Sequence, residues 1–268
     1  MKNAGLPDQF FIGWDVGGWN CDKNRESRDA IVILDPERNI VGMPWRGNLR
    51  VTINNAETSK GWLEEIFLLC QANMPAAENI SAVLAIDTPL GFSEEFSRLV
   101  NRLGCEKYIG QSDTNPYLFR KTEQFLFDHG LKPLSPVKDM IGSQATKGMH
   151  VLAKFTPILG QCGVWSDGGT LTAIEAYPSP CKHSNFFQSL LTRYVVGECI
   201  EPPGRLWLNQ IDNQDMVDAL TCALIGHSFK FHPEALAHPP NFIPMEEGWI
   251  WVPKDALQSD VRRNVLID

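Results

Sequence analysis

The sequence predicts an α/β fold in which a mixed sheet is flanked by helices. Three observations predict it. Two apolar runs, FFIGW at 10–14 and SAVLAI at 81–86, are each followed by an aspartate, Asp15 and Asp87, and then by a turn signal. Between them the hydrophobic spacing changes from strand-like to helical, and a helix-period stretch at 212–229 lies toward the end of the chain.

The first run meets Gly17-Gly18, which marks a buried strand stopped by a turn. Ala30 to Leu34 is a second strand closed by Asp35-Pro36, and Ile40 to Val51 is a third, weaker one broken by Gly42, Pro44 and Gly47. These spacings suit an antiparallel meander. From Thr58-Ser59, residues Trp62, Ile66, Leu69 and Cys70 recur at helical spacing until Pro75. The run at 81–87 is apolar throughout, as in a strand buried on both faces, and a strand following a helix needs a parallel neighbour, most simply the first strand. A helix opens at Ser93-Glu94-Glu95 and runs to about Leu103, with acids in its first turn. Tyr117 to His129 and Gln144 to Leu159 are helical in spacing, separated by KPLSPVKDM, and 104–163 reads as a basic helical insertion in a single domain spanning 1–268. Val164-Trp165 and Thr170 to Tyr177 form a hairpin around Ser166-Asp167-Gly168-Gly169. An amphipathic stretch at 186–195, the helix at 212–229 and a terminal edge strand in GWIWVP complete the pattern.

Composition narrows the function classes. No apolar run approaches the ~20 residues of a membrane helix, and MKNAGLPDQF lacks the pattern of a signal peptide. Seven cysteines are scattered singly, without a C-x-x-C pair. A cytoplasmic protein with reduced thiols and no membrane partner is expected. The net charge of −8 argues against a broad basic face for duplex DNA, although residues 98–154 carry nine Lys/Arg against five acids, leaving that segment +4 and the remainder −12.

Chemistry points to the acids. If the two best strands are parallel neighbours, Asp15 and Asp87 emerge together at the carboxyl edge of the sheet, where open α/β sheets bind ligands. An aspartate before Gly-Gly or Thr-Pro is equally a turn former. In DNQDMVDALTCAL, Asp212, Asp215 and Asp218 share a helix face; Asp212 reads as the N-cap, and small residues beside Asp218 allow close approach to the sheet. Glu175, inside TAIEAYP, must be paired, bound to a metal or turned to water. Carboxylates gathered from two strand ends and a helix repel one another unless a cation neutralises them, and an all-oxygen set selects Mg²⁺ or Mn²⁺.

The motifs GWDVGG, AIDTPLG, RKTEQFL, IEAYPSP, DMVDALTCAL and EGWIWVP, in order from about residue 11 to 253, together resemble the domain-of-unknown-function family 429, which is assigned to the predicted nucleases of the ribonuclease H-like superfamily. The resemblance implies a five-stranded mixed sheet, its first three strands antiparallel and its fourth parallel beside the first. It also implies two metals held by Asp15, Asp87, Asp215 and Asp218. Glu175 matches the acid of the family's E-x-Y-P motif and joins the candidate catalytic set, while Arg120 and Glu123 match its R-x-T-E motif. Arg120, Lys121, Lys147 and Lys154 are the candidate phosphate contacts. The expected activity is metal-dependent hydrolysis of a single-stranded or short nucleic acid, or of a small phosphoester. Two other readings compete. One is an actin-like or sugar-kinase-like ATP-binding phosphotransferase with SDGGT at 166–170 as a second phosphate loop; the other is a non-catalytic binding scaffold whose acids are caps.

Overall fold

The computed structural model describes residues 8–75, 80–195, 211 and 213–258. One mixed sheet forms its centre. Strand β1 (Asp8–Asp15) pairs antiparallel with β2 (Asp29–Leu34), which pairs antiparallel with β3 (Trp45–Gly47). On its other side β1 runs parallel to β4 (Ile80–Asp87), and β4 runs parallel to β7 (Leu171–Ala176). Beyond β7, the hairpin of β5 (Ile158–Gln161) and β6 (Val164–Ser166) widens the sheet, and β8 (Ile250–Trp251) adds a short parallel pairing to the end of β7. The order is β3-β2-β1-β4-β7-β6-β5, with β8 on β7, so eight strands stand where five were expected.

Alternation along the strands divides the core between two faces. Phe10, Ile12 and Trp14 of β1 join Ile31, Ile33, Leu84 and Ile86 on one face. That face is covered by α1 (Arg50–Asn55), α2 (Ser59–Leu69) and α5 (Gly142–Phe155), which contribute Ile53, Trp62, Phe67, Val151 and Phe155. The opposite face presents Phe11, Ala30, Val32, Val83, Ala85 and Ile174. It is covered by α7 (Gln214–Phe231), with Leu126 of α4 (Lys121–Asp128) and Phe187 of α6 (Asn185–Val195). The remaining helix, α3 (Glu94–Val100), starts at Ser93, whose side chain accepts from Phe96 N.

Three local expectations need correction. The weak strand at 40–51 forms only at Trp45–Gly47, and Arg50–Asn55 is helical because one turn carries both Leu49 and Ile53 into the core, outweighing the poor helix propensity of Val, Thr and Asn. The helix expected to reach Leu159 ends at Phe155, before Pro157, and the chain continues as β5. The helix at 212–229 starts at Gln214, and its N-cap is Asn213, whose side chain accepts from Asp215 N at 2.8 Å; Asp212 lies outside the described residues. Far from decorating the scaffold, α5 of the expected insertion buries Val151, Leu152 and Phe155 against the sheet. No helix among the described residues is long and apolar enough to cross a membrane.

Candidate active site

The register of the central strands sets Asp15 beside Asp87, because β1 and β4 are parallel and in step along their whole length. Asp15 also stands opposite Ala30 of β2, which stands opposite Arg46 of β3. Residues paired across a sheet share a face, so Arg46, Asp15 and Asp87 occupy one row on the side of α7. The helix reaches that row because β1 has no side chain at Gly13. A Cβ there would lie 1.8 Å from Ala219 O and 2.4 Å from Ala223 N.

Close docking of α7 brings Asp215 and Asp218 toward the strand acids, and the proton affinities record it. Burial, followed by the charges of Asp87, Asp215, Asp218 and Asp29, pushes the Asp15 carboxyl up to about 9. Asp87 is pushed well above the usual carboxylate range by burial and then by Asp218 and Glu175. Asp218 is raised by burial, against the pull of its hydrogen bond from Gln214 Nε2 at 2.9 Å and the charge of Lys182. Neither Asp15 nor Asp87 accepts a hydrogen bond from the described residues. Asp215 already has partners: its Oδ2 accepts from Arg46 Nε at 2.7 Å and from Arg28 N at 3.0 Å, and lies 2.7 Å from Arg46 Nη2 in an ion pair. Arg46, absent from the expected site, is thus the cation that holds the helix acid against the sheet.

These affinities fix the pH response of the metal-free protein. The unfolded chain releases the Asp15 proton near 3.8, whereas the folded chain keeps it to about 9, so the folded state binds more protons across that window. Stability therefore falls as pH rises through it, by up to about 1.4 kcal/mol per pH unit per proton. Thermal melts from acid to mildly alkaline pH should show this decline, and Asp15→Asn should flatten it. An unchanged slope in the variant would place the retained proton elsewhere.

Glu175 takes the first of its three expected alternatives, a partner. Its Oε1 and Oε2 accept from Arg120 Nη2 at 2.6 Å and Nη1 at 2.8 Å, and Oε2 also accepts from Leu90 N at 2.9 Å. Arg120 in turn binds Glu123 through Nε at 2.8 Å and donates to Glu247 O at 3.0 Å. The R-x-T-E and E-x-Y-P segments are therefore two halves of one buried network that ties the start of α4 to β7. Burial pushes the Glu123 carboxyl up to about 7, against the pull of Arg120.

The same burial corrects the expected phosphate contacts. Arg120 and Lys147 are 1% and 0% exposed and committed to internal partners. Lys147 forms an ion pair with Asp29 and donates to Gly17 O at 3.3 Å and Gly18 O at 3.4 Å. Asp29 completes this staple by accepting from Gly17 N at 2.9 Å and Trp14 Nε1 at 3.1 Å, which fixes the turn directly after Asp15. Lys154 donates to Ile53 O at 2.7 Å at the end of α1. Lys121 remains half-exposed, 3.9 Å from Glu95, and lies outside the cleft lining.

Asp15 and Asp87 open into a cleft of about 250 Å³ whose lining includes Thr88, Pro133, Leu134, Ile141, Gln144, Glu175 and Tyr177. Among the described residues, no group of three His, Cys, Asp or Glu side chains is arranged to hold a metal ion. Two strand carboxylates without hydrogen-bond partners among the described residues are hard oxygen donors, of the kind that Mg²⁺ and Mn²⁺ prefer. Of the four acids expected to hold two metals, Asp215 engages Arg46 through Oδ2. The SDGG turn lies at the other end of the sheet: Leu171 aligns with Ala82 and Phe10, five residues or roughly 17 Å from the aspartates. Asp167 closes that turn by accepting from Gly169 N, Thr170 N and Leu171 N. Comparison with protein-family models, curated proteins and solved structures finds no match to this chain.

Proposed function

We propose that this chain is a divalent-metal-dependent phosphodiesterase of the ribonuclease H-like type, akin to the nuclease family its motifs resemble. One observation carries the reading. Two aspartates without hydrogen-bond partners stand in register at the carboxyl ends of adjacent parallel strands, beneath a helix that brings further acids. The antiparallel β1–β2–β3 meander with β4 parallel to β1 supports the same reading, because it agrees with the sheet the resemblance implies. The ATP-binding alternative lacks comparable support, since its second phosphate loop would lie at the far end of the sheet from Asp15.

In this reading Asp15 and Asp87 hold the cation, which supplies charge neutralisation and polarises the phosphoryl oxygen. Arg46 neutralises Asp215 beside them, and the Lys147–Asp29 staple keeps the Gly17-Gly18 turn, and with it Asp15, in place. Asp15, which keeps its proton to about 9, and Asp87, also raised, would both have to be deprotonated to hold a cation, so Mn²⁺ affinity should rise with pH up to about 9.

Calorimetric titration with Mn²⁺ tests the proposal. Saturable binding is expected in the wild type, weakened at least about tenfold (1.4 kcal/mol) in both Asp15→Asn and Asp87→Asn. The wild type should also hydrolyse bis(p-nitrophenyl) phosphate only when Mn²⁺ or Mg²⁺ is added. Equal Mn²⁺ binding in all three proteins, or hydrolysis indifferent to both substitutions, would overturn it.

A further inference from the structure

The wall facing Asp15 and Asp87 differs in chemistry from the aspartates. It is built from Pro133, Leu134, Ile141 and the ring of Tyr177, and no lysine or arginine lines the cleft among the described residues. The wall is rigid. Tyr177 donates its hydroxyl to Lys132 O at 3.1 Å, which holds the ring against the loop. Within the loop, Ser135 N donates to Asp139 Oδ2 at 2.8 Å, while Val137 N and Lys138 N both donate to Ser135 Oγ at 3.2 Å. Leu134 nevertheless remains 55% exposed at the mouth, a large apolar side chain held out by a loop that is otherwise tied down. Thr88, only 5% exposed and part of the lining, has a hydroxyl with no hydrogen-bond partner among the described residues.

We infer that the cleft accepts a phosphoester of mononucleotide size, with a flat, weakly polar ring against the Pro133–Leu134–Tyr177 wall and its phosphate toward Asp15 and Asp87. This rests on the function proposed above and narrows its substrate class. A nucleic-acid strand is bound through a groove of lysines and arginines that tracks its backbone. Here Arg120 and Lys147 are turned inward, no lysine or arginine lines the cleft among the described residues, and the whole chain carries −8. A volume of about 250 Å³ holds one ring and one phosphate rather than a succession of nucleotides. The preformed wall supplies binding without an ordering cost.

Calorimetry under saturating Mn²⁺ with three probes tests the inference: thymidine 5′-phosphate, inorganic phosphate and an oligothymidylate. Thymidine 5′-phosphate should bind at least about tenfold more tightly than inorganic phosphate, and the oligomer no more tightly than the mononucleotide. Leu134→Ser, at a position exposed enough to leave folding intact, should weaken thymidine 5′-phosphate by about tenfold and leave inorganic phosphate unchanged. Tighter binding of the oligomer would overturn the inference in favour of a strand-binding groove. Equal affinity for nucleotide and phosphate, or indifference to Leu134→Ser, would overturn it by removing the wall from recognition. If no probe binds, the Mn²⁺ titration alone separates the causes. Retained metal binding means that the substrate class is wrong, and lost metal binding means that the premise has failed with it.

Discussion

Replacing Arg120 with alanine should cost about 3–5 kcal/mol, because it strands two buried carboxylates without their cation. Glu123 and Glu175 are 0% and 2% exposed, and the guanidinium reaches both at once, with Nη1 donating to Glu247 O as well as to Glu175. No other cation among the described residues contacts Glu175. Against a typical total stability of ~5–15 kcal/mol, such a loss leaves a substantial unfolded population. Arg120→Lys should recover little of it, since an ammonium cannot serve two carboxylates through a planar fork. The loss should shrink at acid pH, where the stranded carboxyls take up protons and the charge itself disappears. Urea denaturation at neutral and acid pH measures both effects. A deficit below about 1 kcal/mol at neutral pH would mean that the network contributes no more than a surface ion pair.

Gly13→Ala is the second large effect, and it links packing to chemistry. Adding a methyl group to a packed core costs about 1–3 kcal/mol, and the upper end is expected here because the obstructing atoms, Ala219 O and Ala223 N, belong to helix backbone that cannot rotate aside. The helix must move as a body. Its first two turns carry Asp215 and Asp218, so the displacement that relieves the clash also withdraws their charges from Asp15. The variant should therefore be less stable, with a shallower fall in stability toward alkaline pH. Wild-type stability or an unaltered pH slope would mean that α7 is not held against β1 by the missing side chain.

Much of the sheet was legible because its signals are short-range. Apolar runs ending in Asp15 and Asp87 are strands wherever they occur, and the antiparallel meander follows from their spacing and turns. The short helix Arg50–Asn55 and the β5 strand were not legible. In both, a few residues with poor local preference are held by tertiary burial or by pairing with a neighbour. A proline at 157 was the available warning for the second.

The functional residues divide along the same line. Sequence alone determined that Asp15 and Asp87 end the two best strands, that Asp215 and Asp218 share a helix face, and that Glu175 must be paired, bound to a metal or turned to water, since each depends on position within one element. Only the tertiary structure decided which partner each group takes. Arg120 lies 55 residues from Glu175, Lys147 lies 118 from Asp29, and Arg46 lies 169 from Asp215. Nothing in local spacing separates a lysine that meets solvent from one that closes an internal ion pair. That choice is made when sheet and helices pack and water is excluded, and it turned Arg120 and Lys147 inward while leaving the two strand aspartates at the cleft.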